Sequence, residues 1–308
     1  MSTRVDVRKT YKLYIGGKFP RSESGRSYEV YAAPSAAARR GSASRAPKFL
    51  ANAAMGSRKD ARDAVVAARK AQPGWAGATA YNRGQVLYRV AEVMESRRGQ
   101  LVQDVRDSEG LSPVAAEAIV SAAIDRWVWY AGWADKFTQV LGGLNPVAGP
   151  YFDISAPEAT GVVAVLAPQR SSLLGLVSVI APVIVSGNTA VVVTSEDRPL
   201  PAITLAECLA TSDVPGGVVN LITGRTSEMA PWLASHRDVN AIDLTGAAGA
   251  EGVDWGALEA AAAENLKRVL RPAGTGADAV EPDFAPTPDL ARLTAFLETK
   301  TVWPPKGR

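Results

Sequence analysis

Four short runs of aliphatic residues, separated by helix-like segments, constrain the fold more than any other feature of this sequence. Each run is apolar on both faces, which is typical of strands buried between two layers. Strands that alternate with helices predict a parallel sheet with right-handed crossovers, whose ligands bind at the carboxyl ends of the strands. The predicted strands are Val162–Ala167, Asn188–Val193, Gly217–Ile222 and Val239–Leu244, and the predicted helices are Leu173–Ser186, Leu200–Thr211 and Ser227–His236.

The region before this α/β stretch predicts a few short strands followed by helices. Tyr11–Phe19 alternates around a Gly16-Gly17 turn and predicts a hairpin, and Tyr28–Tyr31 predicts a further strand. Residues 35–56 are rich in Ala, Ser, Arg and Gly without a clear period, so we expect a loop or an insertion. Ser57 is the predicted N-cap of the first helix. Further helical patterns cover residues 82–95, 101–107 and 113–136.

Composition excludes several classes of protein. The net charge of +3 is spread along the chain, which favours a solvated surface over a nucleic-acid patch. No run of about 18 apolar residues predicts a membrane span, and the basic N-terminus has no apolar core typical of a signal peptide. The single cysteine, Cys208, excludes an internal disulfide and suits a reducing compartment. With one histidine, His236, it leaves too few ligands for a structural zinc site.

Six short phrases, in order along the chain, carry a resemblance to a known family. They are Ala167–Arg170, Ala181–Val183, Gly187–Thr189, Val193–Glu196, Val214–Asn220 and Leu244–Ala247. Upstream, the phrase YAGWADK at Tyr130–Lys136 agrees as well. Together they resemble the dinucleotide-binding half of an aldehyde dehydrogenase. Trp127, Trp129, Tyr130 and Trp133 have helical spacing, so we expect them in the core rather than in a ligand cage.

The resemblance implies a Rossmann-like, doubly wound parallel sheet with a small β oligomerisation element. Asn265–Val269 resembles the phrase that leads into the family's fifth strand, and Thr299–Trp303 resembles its final strand. Most of the family's catalytic domain is therefore expected to be missing between these two phrases. The implied division is residues 1–34, 140–160 and 299–308 as oligomerisation strands, 57–139 and 161–272 as the dinucleotide-binding-like domain, and 273–288 as a linker. A helix is predicted at Asp289–Glu298.

The same resemblance predicts that the catalytic chemistry is lost. Arg170 stands where the family has the asparagine of its oxyanion site, and Pro272 stands where it has the general-base glutamate. The nucleophilic cysteine belongs to the missing domain, and Cys208 is expected to be a small core thiol. No catalytic residue is therefore assigned.

Binding of NAD or NADP is expected to be weak or lost. Glu196 matches the carboxylate that the family places on the adenosine ribose, but Val193 replaces an adjacent lysine. Gly224 and Gly246 suit a close approach of backbone to a cofactor, yet they are equally well explained as strand-to-helix turn residues. Ala247 replaces a serine. The candidate cofactor-binding residues are Pro168, Glu196, Gly224, Gly246 and Ala247, and no metal ligand is predicted.

Three functions remain open at this point. The first is a cytoplasmic pseudoenzyme that oligomerises with itself or with an active full-length aldehyde dehydrogenase, since the interaction strands are the part of the family pattern that is kept. The second is a sensor that binds NAD(P) weakly. The third is an NAD-dependent aldehyde oxidoreductase whose site is completed by a partner chain. Neither a nucleic acid nor a membrane is expected as a partner.

Overall fold

The centre of the fold is a parallel sheet of five strands in the order β10-β9-β6-β7-β8. The structure is a computed structural model, and it describes residues 8–34, 47–274 and 278–306. The five strands are β6 (Val162–Leu166), β7 (Thr189–Val193), β8 (Val219–Ile222), β9 (Ala241–Asp243) and β10 (Arg268–Leu270). All neighbours in this sheet are parallel, which confirms the predicted α/β class and the four predicted strands.

Helices cover both faces of this sheet, because alternate strand residues bury their side chains on opposite sides. On one face, Val163, Val165 and Val192 pack with α2 (Ala80–Ser96), α3 (Arg98–Glu109), α4 (Pro113–Trp133), α6 (Leu174–Val185) and α7 (Leu200–Ala210). On the other face, Val162 and Val191 pack with α1 (Arg58–Gly77), α8 (Thr226–Ser235) and α9 (Trp255–Ala263). The layers are those of a doubly wound fold.

The predicted helices form close to the expected positions. Ser57 caps α1 as expected: its side chain accepts a hydrogen bond from the Asp60 N–H, and the Asp60 side chain accepts one from the Ser57 N–H. The helix predicted at 113–136 is α4, which ends at Trp133, and a short α5 (Phe137–Leu141) follows it. Trp127 and Tyr130 are buried in the core, and Trp129 and Trp133 pack against it partly exposed.

The N-terminal strands form a sheet of their own. It has the order β1-β3-β2, with β1 (Thr10–Tyr11), β2 (Ser27–Tyr31) and β3 (Phe49–Ala54). The expectation of a structureless 35–56 is therefore wrong for β3, where Ala51 and Ala53 bury their side chains; residues 35–46 lie outside the described ranges. The resemblance assigned residues 1–34 to the oligomerisation strands; here β1 and β2 pair with β3, and a role of this segment in assembly stays a prediction. The turn at Gly16-Gly17 does form, closed by a bridge between Ile15 and Lys18.

A second three-stranded sheet, which we call the arm sheet, extends from the end of α5. It has the order β11-β5-β4 and consists of β4 (Gly143–Asn145), β5 (Asp153–Ala159) and β11 (Leu297–Val302), all antiparallel. The segments 140–160 and 299–308, which the resemblance grouped together, form strands that pair with one another, β4 with β5 and β5 with β11. The helix predicted at Asp289–Glu298 is shorter, because only α10 (Ala291–Thr294) is helical and β11 begins at Leu297. None of the helices among the described residues has the length and apolarity needed to cross a membrane.

Candidate functional site

The candidate site lies at the carboxyl edge of the five-stranded sheet. From β6 the chain continues to β7 and β8 on one side, and then returns to β9 and β10 on the other side. The point where strand order reverses therefore lies between β6 and β9, and open α/β sheets bind ligands in this crevice. The residues predicted for the cofactor follow four of the five strands at this edge: Pro168 after β6, Glu196 after β7, Gly224 after β8, and Gly246 with Ala247 after β9.

Both glycines of this set have a packing role in the fold. The Gly246 N–H donates to the Leu166 carbonyl at 2.9 Å, and a Cβ on Gly246 would lie 2.0 Å from the Ala167 carbonyl oxygen. Gly224 has a φ of +127°, and a Cβ there would lie 2.9 Å from the Gly56 nitrogen. Their presence is explained without a ligand, and a role in cofactor binding stays a prediction. Ala247 is buried and begins a 3-10 turn, Ala247–Gly249, rather than a longer helix.

Glu196 is held by its backbone and points its carboxylate toward a cation. Its carbonyl accepts a hydrogen bond from the Tyr28 hydroxyl at 3.0 Å, and its N–H donates to the Gln169 side chain at 3.0 Å. One carboxylate oxygen lies 3.8 Å from Nε of Arg225. Burial raises the pKa of Glu196, as does the neighbouring Asp197, whereas Arg225 lowers it. Arg225 directly follows Gly224 and was not predicted as part of the site.

The loop after β6 is tied to the loop after β7 through Gln169. The Gln169 side-chain amide donates to the Ala167 carbonyl at 2.8 Å, and its backbone carbonyl accepts from the Ser195 hydroxyl at 2.9 Å. Pro168, between these groups, is buried. These hydrogen bonds therefore hold the loops after β6 and β7 in a defined position relative to each other.

A carboxylate from a distant part of the chain fills the crevice at the reversal point. Glu281 accepts a hydrogen bond from the Arg170 N–H at 3.1 Å and another, through its second oxygen, from the Gln169 N–H. The oxygen that accepts from the Gln169 N–H also approaches the 3-10 turn after β9, where a Cβ on Gly249 would lie 2.3 Å from it. Glu281 therefore lies between the loop after β6 and the turn after β9. Glu281 lies in the segment predicted to be a linker, and its contacts were not predicted from the sequence.

The segment that carries Glu281, residues 278–290, is anchored on the fold by a buried aromatic side chain. Phe284 is 7% exposed and lies against α6, where a Cβ on Gly175 would come within 3.1 Å of its ring. The Arg126 guanidinium of α4 donates to the Phe284 carbonyl at 2.7 Å and to the Pro286 carbonyl at 3.0 Å. A phenylalanine inside a stretch of Pro, Ala and Asp is the one sequence signal that indicates such an anchor.

An ion pair between a buried carboxylate and a partly buried guanidinium adjoins the same edge. Asp243, the last residue of β9, lies 3.2 Å from an Arg292 nitrogen and accepts a hydrogen bond from the Thr245 N–H at 2.8 Å. Burial raises the pKa of the Asp243 carboxyl, and this is opposed by Arg292 and by the hydrogen bonds from Thr245. The Arg292 guanidinium also lies over the Phe284 ring, 5.5 Å from its centroid. The pair connects α10 to the carboxyl end of β9.

The positions that the resemblance matches to the family's oxyanion asparagine and general base hold Arg170 and Pro272. Arg170 is exposed and Pro272 is buried, and neither offers a base at the crevice. Cys208 is a free, buried thiol on α7, and burial raises its pKa to about 11, in agreement with the predicted core role. His236 packs on Trp232 with ring centroids 4.4 Å apart. In the described part of the chain, no group of three or more His, Cys, Asp or Glu residues could hold a metal ion.

Comparison with known proteins gives a consistent answer. Residues 42–280 match the model of the aldehyde dehydrogenase family. The chain is 31% identical to aldehyde dehydrogenase, cytosolic 1, of Elephantulus edwardii, over 87% of this chain and 50% of the relative. It is 31% identical to a putative aldehyde dehydrogenase of Bacillus subtilis, over 78% of this chain and 46% of the relative.

A solved structure extends the similarity to three dimensions. The chain superposes on an NAD+ complex of an aldehyde dehydrogenase from Bacillus cereus with a TM-score of 0.75 and 26% identity, over 85% of this chain and 50% of the other. In each comparison the chain spans about half the length of the relative it matches.

Proposed function

The chain belongs to the aldehyde dehydrogenase family, and we propose that it acts as a non-catalytic, cytoplasmic subunit that oligomerises with itself or with an active aldehyde dehydrogenase. The observation that carries this proposal is an exposed apolar row on the arm sheet. Leu144, Ile154 and Val302 stand directly opposite one another across its three strands. They are 67%, 40% and 43% exposed.

Exposure of such an apolar row to water is energetically unfavourable, and the row therefore supports a role in contacts with another protein. Phe152 and Trp303, close to the same strands, are also more than two-fifths exposed, at 42% and 56%. Contiguous exposed apolar side chains of this kind mark interaction surfaces, whereas single ones do not. The polar face of the sheet contrasts with this row, because Asn145, Ser155 and Thr301 hydrogen-bond one another there.

The outer edge of β11 supports pairing with another strand. Within the described ranges β11 pairs only with β5, so its other edge leaves N–H and C=O groups free for a partner. Adding a strand at such an edge is a general mode of association. The sequence there alternates charge, with Glu298 and Lys300 on either side of Thr299.

This charge pattern supports a second copy of the chain as the partner. In an antiparallel pair of two β11 strands related by a two-fold axis at Thr299, Glu298 of each copy faces Lys300 of the other. Within one chain Glu298 pairs with Arg268 and Lys300 with Glu158, so the contact between copies would share these charges. Opposite charges directly across a strand pair contribute roughly 0.2–1 kcal/mol each, and like charges destabilise it by similar amounts. Because of the two-fold axis, each such interaction occurs twice in the dimer.

The residues at the positions matched to the family's catalytic groups support a non-catalytic role. Loss of one oxyanion donor alone reduces the rate of related reactions by a factor on the order of 10² to 10³. Here the matched positions hold Arg170 and Pro272, and the one cysteine is buried away from the crevice. An aldehyde oxidoreductase completed by a partner chain would need that partner to supply both nucleophile and base.

A weak NAD(P)-binding sensor is the second candidate, supported by the five predicted residues along the carboxyl edge and by the NAD+ that a solved relative binds. The residues present do not fit a dinucleotide well. Val193 and Ala247 remove a cation and a hydroxyl, and the Glu281 carboxylate occupies the reversal point. We propose that this chain binds NAD(P) weakly in the arrangement described. An NAD+ titration that saturates in the micromolar range would contradict this.

Charge reversal on β11 tests the pairing directly. We expect Lys300→Glu and Glu298→Lys each to weaken self-association by about tenfold or more, because each places like charges opposite one another twice. Mixing the two variants restores opposite charges at both positions without a second change in either chain. The mixture is therefore expected to associate as strongly as the unaltered protein. Sedimentation velocity measures both effects.

The control for this experiment is Lys70→Glu, the same charge change at an exposed position on α1, far along the chain from β11. It should leave association unchanged. The proposal of β11 pairing fails if the single variants associate as well as the unaltered protein, or if the mixture does no better than either variant alone.

A further inference from the structure

At the reversal point of the sheet, a carboxylate of this chain binds backbone N–H groups of the same chain in the way that an anionic ligand would. Both oxygens of Glu281 accept hydrogen bonds from consecutive backbone amides, those of Gln169 and Arg170. Consecutive backbone N–H groups at the end of a strand form an anion-binding concavity in many α/β proteins. Here the anion is a side chain of the same molecule.

From this contact we infer that Glu281 is a built-in anion that closes the crevice, so that a phosphate-bearing ligand enters only when this carboxylate leaves. A phosphate group would need the same two N–H donors, and it would meet a negative charge already in place. The inference concerns ligand access to the crevice. It goes beyond the proposed assembly role and does not depend on it.

The position of Glu281 in the fold supports a blocking role rather than a chance contact. The carboxylate lies between the loop after β6 and the turn Ala247–Gly249 after β9, the two elements that flank the reversal of strand order. At Gly249 the approach is so close that a Cβ would lie 2.3 Å from the Glu281 oxygen. The carboxylate therefore lies against both walls where they meet, since the same Cβ would also lie 3.3 Å from the Cβ of Gln169.

Glu281 is not what holds its own segment in place. Phe284 is buried beside α6, and Arg126, itself 7% exposed, binds the carbonyls of Phe284 and Pro286. Arg292 covers the Phe284 ring from the side of α10. Truncation of Glu281 is therefore expected to empty the anion space while the surrounding segment stays on the fold.

The test compares Glu281→Ala with the unaltered chain by calorimetric titration with NAD+. We expect the variant to bind NAD+ at least tenfold more tightly, because the two amides become free and the negative charge is removed. Glu281→Gln keeps the size but not the charge, and it should gain less. Asp283→Asn is the matched control: Asp283 is exposed in the same segment and bonds only locally, to the Ala285 N–H. It should bind NAD+ as the unaltered chain does.

Competition with inorganic pyrophosphate shows whether any gain in NAD+ affinity arises at the amides of Gln169 and Arg170. In Glu281→Ala, pyrophosphate should compete with NAD+, since both would use the amides of Gln169 and Arg170. A gain in NAD+ binding that pyrophosphate does not reduce would place the new binding elsewhere and would overturn the inference. So would equal affinity of Glu281→Ala and the unaltered chain, including the case in which neither binds at millimolar concentration.

A readout without ligand completes the experiment. Hydrogen exchange of the Gln169 and Arg170 amides should be faster in Glu281→Ala than in Asp283→Asn, because only the first variant removes their acceptor. Unchanged exchange would mean that the carboxylate does not bond these amides in solution, which overturns the inference. Neither result depends on the oligomeric state, so a failure here is distinct from a failure of the assembly proposal.

Discussion

Replacing Gly246 with alanine is expected to destabilise the protein by about 3 kcal/mol, at the upper end of the usual cost of overpacking. The added Cβ would lie 2.0 Å from the Ala167 carbonyl oxygen and 2.6 Å from that of Leu166. Both contacts are backbone, so no flexible side chain can move aside. Relief requires β9 and β6 to separate, which disrupts the hydrogen bond from the Gly246 N–H to Leu166. Urea denaturation of the purified chain without cofactor measures the loss.

This experiment separates the two roles considered for Gly246. A packing role predicts the loss in the absence of any nucleotide, whereas a purely cofactor-binding role predicts a stable variant with altered affinity. Gly74→Ala is the control, because its Cβ would meet nothing within 4 Å inside α1. That substitution should stabilise the protein by roughly 0.5–1 kcal/mol, the usual gain for alanine over glycine inside a helix. A Gly246→Ala variant as stable as the unaltered chain would contradict the packing account.

Removing the guanidinium of Arg292 is expected to have the second large effect. Asp243 is completely buried and Arg292 is the cation that faces it at 3.2 Å, with the Thr245 N–H as a further donor. Breaking a buried pair by removing one partner costs about 3–5 kcal/mol, because it leaves a buried charge uncompensated. Arg292→Met should show this loss in urea denaturation at pH 8. Arg271→Met, which breaks the solvent-exposed Arg271 side of a pair with Glu259, should cost far less, because solvent screens such a pair.

The loss should depend on pH in a defined direction. Burial already raises the pKa of Asp243, and without Arg292 that pKa rises further because the group that lowers it is gone. A carboxyl whose pKa is higher in the folded state than in the unfolded state stabilises the fold fully at pH values below its unfolded pKa. This stability contribution is lost as the pH rises through the folded-state pKa. The deficit of Arg292→Met relative to the unaltered chain should therefore be smaller at pH 5 than at pH 8.

A second substitution should repair much of the damage. Asp243→Asn removes the buried charge but keeps an acceptor for Thr245, so the double variant with Arg292→Met should be more stable at pH 8 than Arg292→Met alone. Such coupling is expected for residues in direct contact. A cost that is small at pH 8, or the same at both pH values, would show that the pair is not compensating a buried charge.

The parallel sheet could be predicted from the sequence because its signal is local. Runs such as Val162–Ala167 are aliphatic on both faces, and this pattern has few explanations other than a strand buried between two layers. The N-cap at Ser57 was equally local, since its partner Asp60 is three residues away. The β3 strand was missed because Phe49–Ala54 is half alanine, which has a low preference for strands.

The filling of the crevice could not be predicted, because it depends on contacts between distant residues. Glu281 meets the Gln169 N–H across 112 positions of sequence. Nothing near Glu281 distinguishes it from the other acidic residues of a segment rich in Pro and Asp. The anchor Phe284 depends in the same way on Arg126 and on the space beside Gly175. The five residues predicted for a cofactor follow strands at one edge of the sheet, and their contact with a ligand stays a prediction.

The most direct test of the assembly role is size-exclusion chromatography with light scattering. The proposal predicts a mass of twice the 32.3 kDa of the chain for the purified protein, or a mixed oligomer after addition of an intact aldehyde dehydrogenase from the same source. A mass of 32.3 kDa at every concentration, both alone and in the mixture, would contradict it.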